Sequence, residues 1–443
     1  MQFWRSFYLQ KRFYRLIALI CALFLAAHFF PLVIAPARIA AFLLAALTVF
    51  DVVLLYRRGN SLEANRRLAV KLSNGDENAI TIELTSGFNF PLSGTVIDEL
   101  PFVFQRRDFR IPFTLPAGAR KTLSYSLRPL QRGEFEFGAM NVFCSTPVSL
   151  AVRRFRFEEN ARCAVYPSIK QMKRYELYAI SDRLTEAGVK KIRPLGHTLE
   201  FDQIRDYVQG DDHRTLNWKA TARRQKIMVN QYQDEKAQQV FCVIDMGRSM
   251  KMPFNGLTLL DYAINASLVM SNIIIHKQDK AGLITFSDDV HTILPARARY
   301  AQMFHILEAL YAQRTSFQES DFERMCAAVA RRIKQRSLLL LFTNFESMVS
   351  LRRRIAALKR LNHRHVLVVI FFENSELDAV VRQPAEDAED VYRKMVSQKL
   401  MYEKRLIVRE LGREGIYSML VAPENVTVAS INKYLELKAR GTV

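Results

Sequence analysis

Residues 196–249 read GHTLEFDQIRDYVQGDDHRTLNWKATARRQKIMVNQYQDEKAQQVFCVIDMGRS, a dense mixture of acidic, basic and aromatic residues that runs straight into a buried-looking strand. The strand is the apolar run from Gln238 to Ile244, and Asp245 ends it. A loop follows, then a helix opening at Thr258-Leu259-Leu260-Asp261, with Thr and Asp at the spacing of a capping box. Further strand-like runs lie at 281–286, 337–342, 365–372 and 416–421. Between them, helical periodicity links Phe322, Met325, Val329 and Ile333, and again Tyr392, Met395, Lys399, Tyr402 and Leu406; Ser320 with Glu323 reads as a second capping box. Strands alternating with helices predict a mostly parallel, doubly wound α/β domain over 238–443, whose crevice lies beyond the carboxyl ends of the strands. Asp245 and Thr343 fall at such ends. No glycine-rich phosphate loop and no GxSxG elbow follows a strand, so neither nucleotide binding nor a serine hydrolase is indicated.

Upstream, over 68–167, the apolar residues alternate: Ile80, Ile82, Leu84, then Leu123, Tyr125, Leu127, then Phe135, Phe137, then Phe155, Phe157. Period two, punctuated by turns such as Ser73-Asn74-Gly75-Asp76 and Pro116-Ala117-Gly118, predicts an all-β, sandwich-like domain of antiparallel strands. It holds no cluster of catalytic residue types.

The first 67 residues predict a membrane hairpin. Leu16 to Ala37 contains no Lys, Arg, Asp or Glu, and a second span runs over about 39–56, with the turn between them near Pro36 and Arg38. Lys11, Arg12 and Arg15 precede the first span and Arg57 and Arg58 follow the second, which places both ends in the cytoplasm. The expected location is the inner membrane, multi-pass, with cytoplasmic soluble domains. Asp51, inside the second span, is close enough to its end to pair with Arg57 or Arg58 at the interface. The chain carries a net charge of +20, but the first 67 residues hold nine basic residues, Arg66 and Arg67 among them, against Asp51 and Glu63. Membrane topology thus explains part of the excess, and no recognition module supports nucleic-acid binding. The 5 cysteines are scattered without metal-ligand or disulfide spacing.

Segment 168–237 links the domains. Glu200, Asp202, Asp206, Asp211, Asp212, His197 and His213 crowd together there, which allows a metal-dependent enzyme using 200–213 as an alternative reading. Arg205, Arg214, Lys219, Arg223 and Arg224 are available as ion-pair partners, and Gly210-Asp211-Asp212 ahead of 214–220 reads as a turn and a helix N-cap.

QIRDYVQGDDHRTLNWKATARR, VIDMGRSM and GLITFSDDV, with RPLQRGEFEFGAMNVFCSTP upstream, resemble the family called domain of unknown function 58, over about 70–425. Its central pattern matches here at Tyr207, Gly210, Asp211, Asp212, Arg214, Trp218, Ala222 and Arg223. The resemblance implies a hairpin, a β domain and a von Willebrand factor A-like domain, with a MoxR-type AAA+ ATPase as partner. An A-like domain implies a Mg²⁺ loop, DxSxS. Asp245 and Ser249 occupy its ends, Gly247 replaces its middle Ser, Asn344 stands where an Asp is expected, and Thr315 or Ser316 is the candidate loop hydroxyl. With one carboxylate left, Mg²⁺ binding is expected to be weak and no other cofactor is implied. The functional expectation is a non-enzymatic, membrane-anchored scaffold. The segment 196–249 is expected to dock onto the A-like domain, with a protein partner bound at the Asp245–Ser249 rim.

Overall fold

The computed structural model describes residues 2–57, 61–104, 109–157, 161–180, 188, 199–209, 211–234 and 237–442. They fall into two compact units that divide between Tyr166 and Pro167.

The first unit begins with two apolar helices, Lys11–Phe29 and Ile34–Tyr56, joined through the short 3-10 turn Pro31–Val33. Both are long and apolar enough to cross a membrane. The break is therefore at Phe30-Pro31, not at Pro36 and Arg38. Pro36 lies in the first turn of the second helix, where its missing N–H is not needed by the ladder.

Asp51 corrects the expectation of an interfacial pair with arginine. Its side chain is fully buried and accepts from Thr146 Oγ1 and from the backbone N–H groups of Leu150 (2.9 Å) and Ala151 (2.8 Å). Arg153 Nη1 adds a bond to the Leu55 carbonyl at 2.7 Å. The second helix is thus fastened to the β strands of its own unit by a carboxylate.

Three sheets follow. One has five strands, ordered Phe7–Leu9, Ala151–Phe157, Met140–Ser145, Leu92–Asp98, Ile111–Leu115; the others are Leu62–Arg67, Asn78–Ser86, Arg120–Leu127 and Lys71–Ser73, Ala161–Tyr166, Gly133–Phe137. All pairings are antiparallel except that of Ala161–Tyr166 with Lys71–Ser73. Ile80, Ile82 and Leu84 are buried, as their alternation predicts. Strand structure starts ahead of residue 68, because Leu62–Arg67 pairs with Asn78–Ser86. Hence Arg66 does not serve membrane topology: it is buried, ion-paired to Asp98 and lies 5.0 Å from the Phe137 ring. Tyr125 donates to the other Asp98 oxygen, and burial, then Asp98, hold its hydroxyl above its ordinary pKa.

The second unit is built on a six-stranded mixed sheet, ordered Val290–Arg297, Lys280–Phe286, Gln239–Asp245, Leu338–Phe342, Val366–Phe372, Tyr417–Val421. Only the edge strand Val290–Arg297 is antiparallel. The inner strands are apolar on both faces because both are covered. Val240, Cys242 and Ile244 pack with the helices Leu259–His276 and Val426–Ala439, while Phe241 and Val243 pack with Phe322–Arg332, Met348–Arg364 and Ala388–Arg413. Leu259–His276 also has the length and apolarity of a span, yet almost all of it is buried in this core. Thr258 and Asp261 close the expected capping box.

The helix Ile169–Ile180 adds Met172, Tyr175 and Tyr178 to the same core, and the Ser168 N–H donates to Asn265 Oδ1 at 2.9 Å. This part of the linking segment does dock on the sheet domain.

Thr146→Val removes a hydrogen bond to a buried carboxylate and should cost about 1.5–3 kcal/mol. The check is a lowered thermal midpoint of the detergent-solubilised chain. An unchanged midpoint would mean that Asp51 does not fasten the helix.

Candidate functional site

Asp245 ends the central strand with its carboxylate fully buried. Three donors hold it: Ser320 Oγ and the Gly247 N–H (2.8 Å) on Oδ1, and Thr343 Oγ1 (2.6 Å) on Oδ2. Burial raises the pKa of this carboxyl, and the hydrogen bonds from Ser320, Thr343 and Gly247, with Arg354 nearby, pull the other way.

Ser320 therefore does not cap a helix. Asp321 is the N-cap of Phe322–Arg332, accepting from the Arg324 N–H at 3.0 Å, and the Ser320 hydroxyl is turned to Asp245 instead. Its position also accounts for Gly247. The backbone there, at φ −79°, suits any residue, but a Cβ would collide with Ser320 Oγ and lie 3.0 Å from the Gln318 carbonyl. A hydroxyl from a distant loop fills the space that a middle Ser would have used.

The other expected ligands are also engaged. Thr315 Oγ1 donates to the Met246 carbonyl at 2.7 Å. Asn344 Nδ2 donates to the Ser249 carbonyl at 3.2 Å, and Asn344 Oδ1 accepts from Lys404 Nζ at 3.1 Å; the ammonium donates as well to the Phe372 carbonyl. Burial drives the Lys404 pKa down to about 8, against the pull of Glu373 and Glu346. The structure brings Asp245, Ser249, Thr315 and Asn344 to one end of the sheet. The donor set does not fit a hard divalent cation: its one carboxylate has both oxygens occupied, and its amide oxygen already faces an ammonium.

Sequence reasoning missed Ser320 and Lys404. The helical periodicity through Tyr392, Met395 and Tyr402 is met by the helix Ala388–Arg413, in which these three are 70%, 65% and 58% exposed and the buried positions are Ser397, Ile407 and Leu411. Lys404, one heptad from both Ser397 and Leu411, shares that inner face. No signal in the sequence alone marks that lysine as inward.

The signature segment forms a separate excursion. Strands Leu199–Asp206 and Met228–Asp234 pair antiparallel, and residues between them make the tip. Asp211 accepts from Arg205 Nη2 (2.6 Å) and the Val208 N–H (2.9 Å), and the Arg205 bond first, then Val208, lowers its pKa. Asp212 caps the 3-10 turn His213–Thr215, Asn217 caps the helix Trp218–Arg224, and Tyr207 stacks with His213. Trp218, Ala222, Arg214 and Arg223 are exposed. Gly210 and His197 lie outside the described residues, as do the side chains of Glu200 and Asp202. The hydrogen bonds just named close within the excursion. They also tie Asp211 and Asp212 to local structure, not to a shared acid–base site.

Residues 203–400 match the family model "Protein of unknown function DUF58". The DUF58 match is narrower than the resemblance over 70–425, leaving out the whole β domain over 68–167. The "Uncharacterized protein YeaD" of Bacillus subtilis (strain 168) is 28% identical over 194 residues, 42% of this chain and 48% of that protein. The chain thus matches about half the length of this curated relative. Among solved structures, the conserved hypothetical protein BatB from Bacteroides thetaiotaomicron is similar at 15% identity and a TM-score of 0.31, covering 46% of this chain and 100% of that one. The CARDB domain of PF1109 from Pyrococcus furiosus is similar at 9% and 0.17, covering 24% and 90%. Both scores are too low to argue the fold from.

Two outcomes test the site. Gly247→Ala should destabilise by about 1–3 kcal/mol through overpacking, and in a Ser320→Ala background the same change should cost clearly less; additive costs in denaturant melts would refute the contact. Lys404, charged at a cost in the folded state below about 8, should make stability rise between pH 8 and its ordinary value of 10.5, where only the unfolded chain still holds the proton. Lys404→Met should remove that rise, read from denaturant midpoints across pH.

Proposed function

We propose that this chain is a membrane-anchored, non-enzymatic scaffold whose second unit, a von Willebrand factor A-like domain, binds a protein partner in the cytoplasm. The observation that carries the reading is the apolar stripe left open on the helix Ala388–Arg413. Tyr392, Met395 and Tyr402 are exposed there, with Val391 49% exposed beside them. Tyr on an outer helix face gives large contact area at low ordering cost, and Met adapts its shape to a partner, which suits a protein interface. The end of the sheet at Asp245 is committed to internal hydrogen bonds. The helix stripe, in place of the Asp245–Ser249 rim, is therefore the docking surface of this reading.

Anchoring is supported by the two apolar helices of the first unit, and a cytoplasmic orientation by Lys11, Arg12, Arg15, Arg57 and Arg58. The partner class, a MoxR-type AAA+ ATPase, rests on the family resemblance.

The test is co-purification of full-length chain and a MoxR-type ATPase from membranes. Retention that falls at least about tenfold with Tyr392→Ser and Tyr402→Ser, about 1.4 kcal/mol or more, supports the reading. An ATPase that never co-purifies, or that is retained equally by the double variant, refutes the partner or the surface. A reporter fused after Val443 should be active on the cytoplasmic side.

A further inference from the structure

The tip of the 199–234 excursion carries a second exposed surface of different character. Backbone bonds set its parts side by side: the Tyr207 N–H donates to the Ile227 carbonyl and the Asn217 N–H to the Met228 carbonyl, both at 2.9 Å. The inner positions Met228 and Val229 are buried, while Val208, Trp218 and Ile227 are 60%, 72% and 53% exposed. Around them Arg214, Lys219, Arg223, Arg224 and Lys226 are all exposed. From 213 to 233 there is no Asp or Glu, and Asp211 is already paired with Arg205.

We propose that this tip is a membrane-surface element that binds anionic phospholipid headgroups. Trp218, Ile227 and Val208 enter the boundary between headgroups and acyl chains, and the five cations meet the lipid phosphates. Charge complementarity selects the occupant: apolar side chains bordered by cations match a layer that is apolar below and anionic above. Trp adds an amphipathic ring suited to that boundary. An acidic protein groove is the competing occupant, and the amphipathic ring beside five cations favours the lipid boundary over it. The inference rests on the membrane anchoring proposed above and is independent of the ATPase.

The experiment uses the full chain with Trp4→Phe, which leaves Trp218 as the sole tryptophan. It is reconstituted into nanodiscs of phosphatidylcholine, alone or mixed with phosphatidylglycerol, with brominated acyl chains as quencher. Co-elution with the disc reports anchoring separately. In anionic discs Trp218 emission should shift to the blue and be quenched. Both effects should fall to the level of the neutral disc at ~1 M salt, where the screening length is only about 3 Å, and in the variant Arg214→Glu, Arg223→Glu, Arg224→Glu. An incorporated chain whose Trp218 is unquenched in anionic discs, or equally quenched in neutral ones, overturns the proposal. So does a Trp218 that responds only when an acidic protein is added. Failure to enter discs overturns the anchoring on which it rests.

Discussion

A carboxylate with no solvent around it has to be satisfied by the protein, and at Asp245 that need organises one end of the second unit. Its oxygens draw in Ser320 from the segment before Phe322–Arg332, Thr343 from the end of the neighbouring strand, and the N–H of Gly247 from its own loop. Each donor comes from a different segment, so one carboxylate ties three of them together. The glycine at 247 follows from the serine at 320, since the two positions compete for one volume. The Asn344–Lys404 pair repeats the logic beside it, with a lysine ammonium bonded to the oxygens of Asn344 and Phe372.

Much of the architecture was legible because the burial pattern of strands is simple. Runs such as Leu338–Phe342 and Val366–Phe372, apolar at every position, can only be covered on both faces, and the alternating Ile80, Ile82 and Leu84 can only be covered on one. Capping at Thr258 and Asp261 was equally readable, being local. Two of the readings failed for one reason, that the partner of a polar residue is set by tertiary structure. Ser320 had a local role available and took a distant one. Arg66 looked like a topology charge and found Asp98 on another sheet. In the helix Ala388–Arg413 the period was legible and the buried face was not, because Tyr392, Met395 and Tyr402 count as apolar in any pattern yet are tolerated outside. Nothing in the sequence alone says that Lys404 belongs inward.

The two exposed surfaces of the second unit divide along chemical lines. The stripe on Ala388–Arg413 is aromatic and thioether-rich, while the excursion tip intersperses apolar side chains with cations. The fold keeps them on separate elements, so each can be altered without disturbing the hydrogen bonds at Asp245.

The same economy of buried carboxylates has a mechanical side in the first unit. Asp51 commits its charge to Thr146, Leu150 and Ala151, and Arg153 grips the helix one turn further on. To tilt or spin, the helix Ile34–Tyr56 must break several bonds at once and strip a buried carboxylate of its donors. It behaves as a stiff shaft: a force on the helix is delivered to the β strands as torque instead of being absorbed in slack chain.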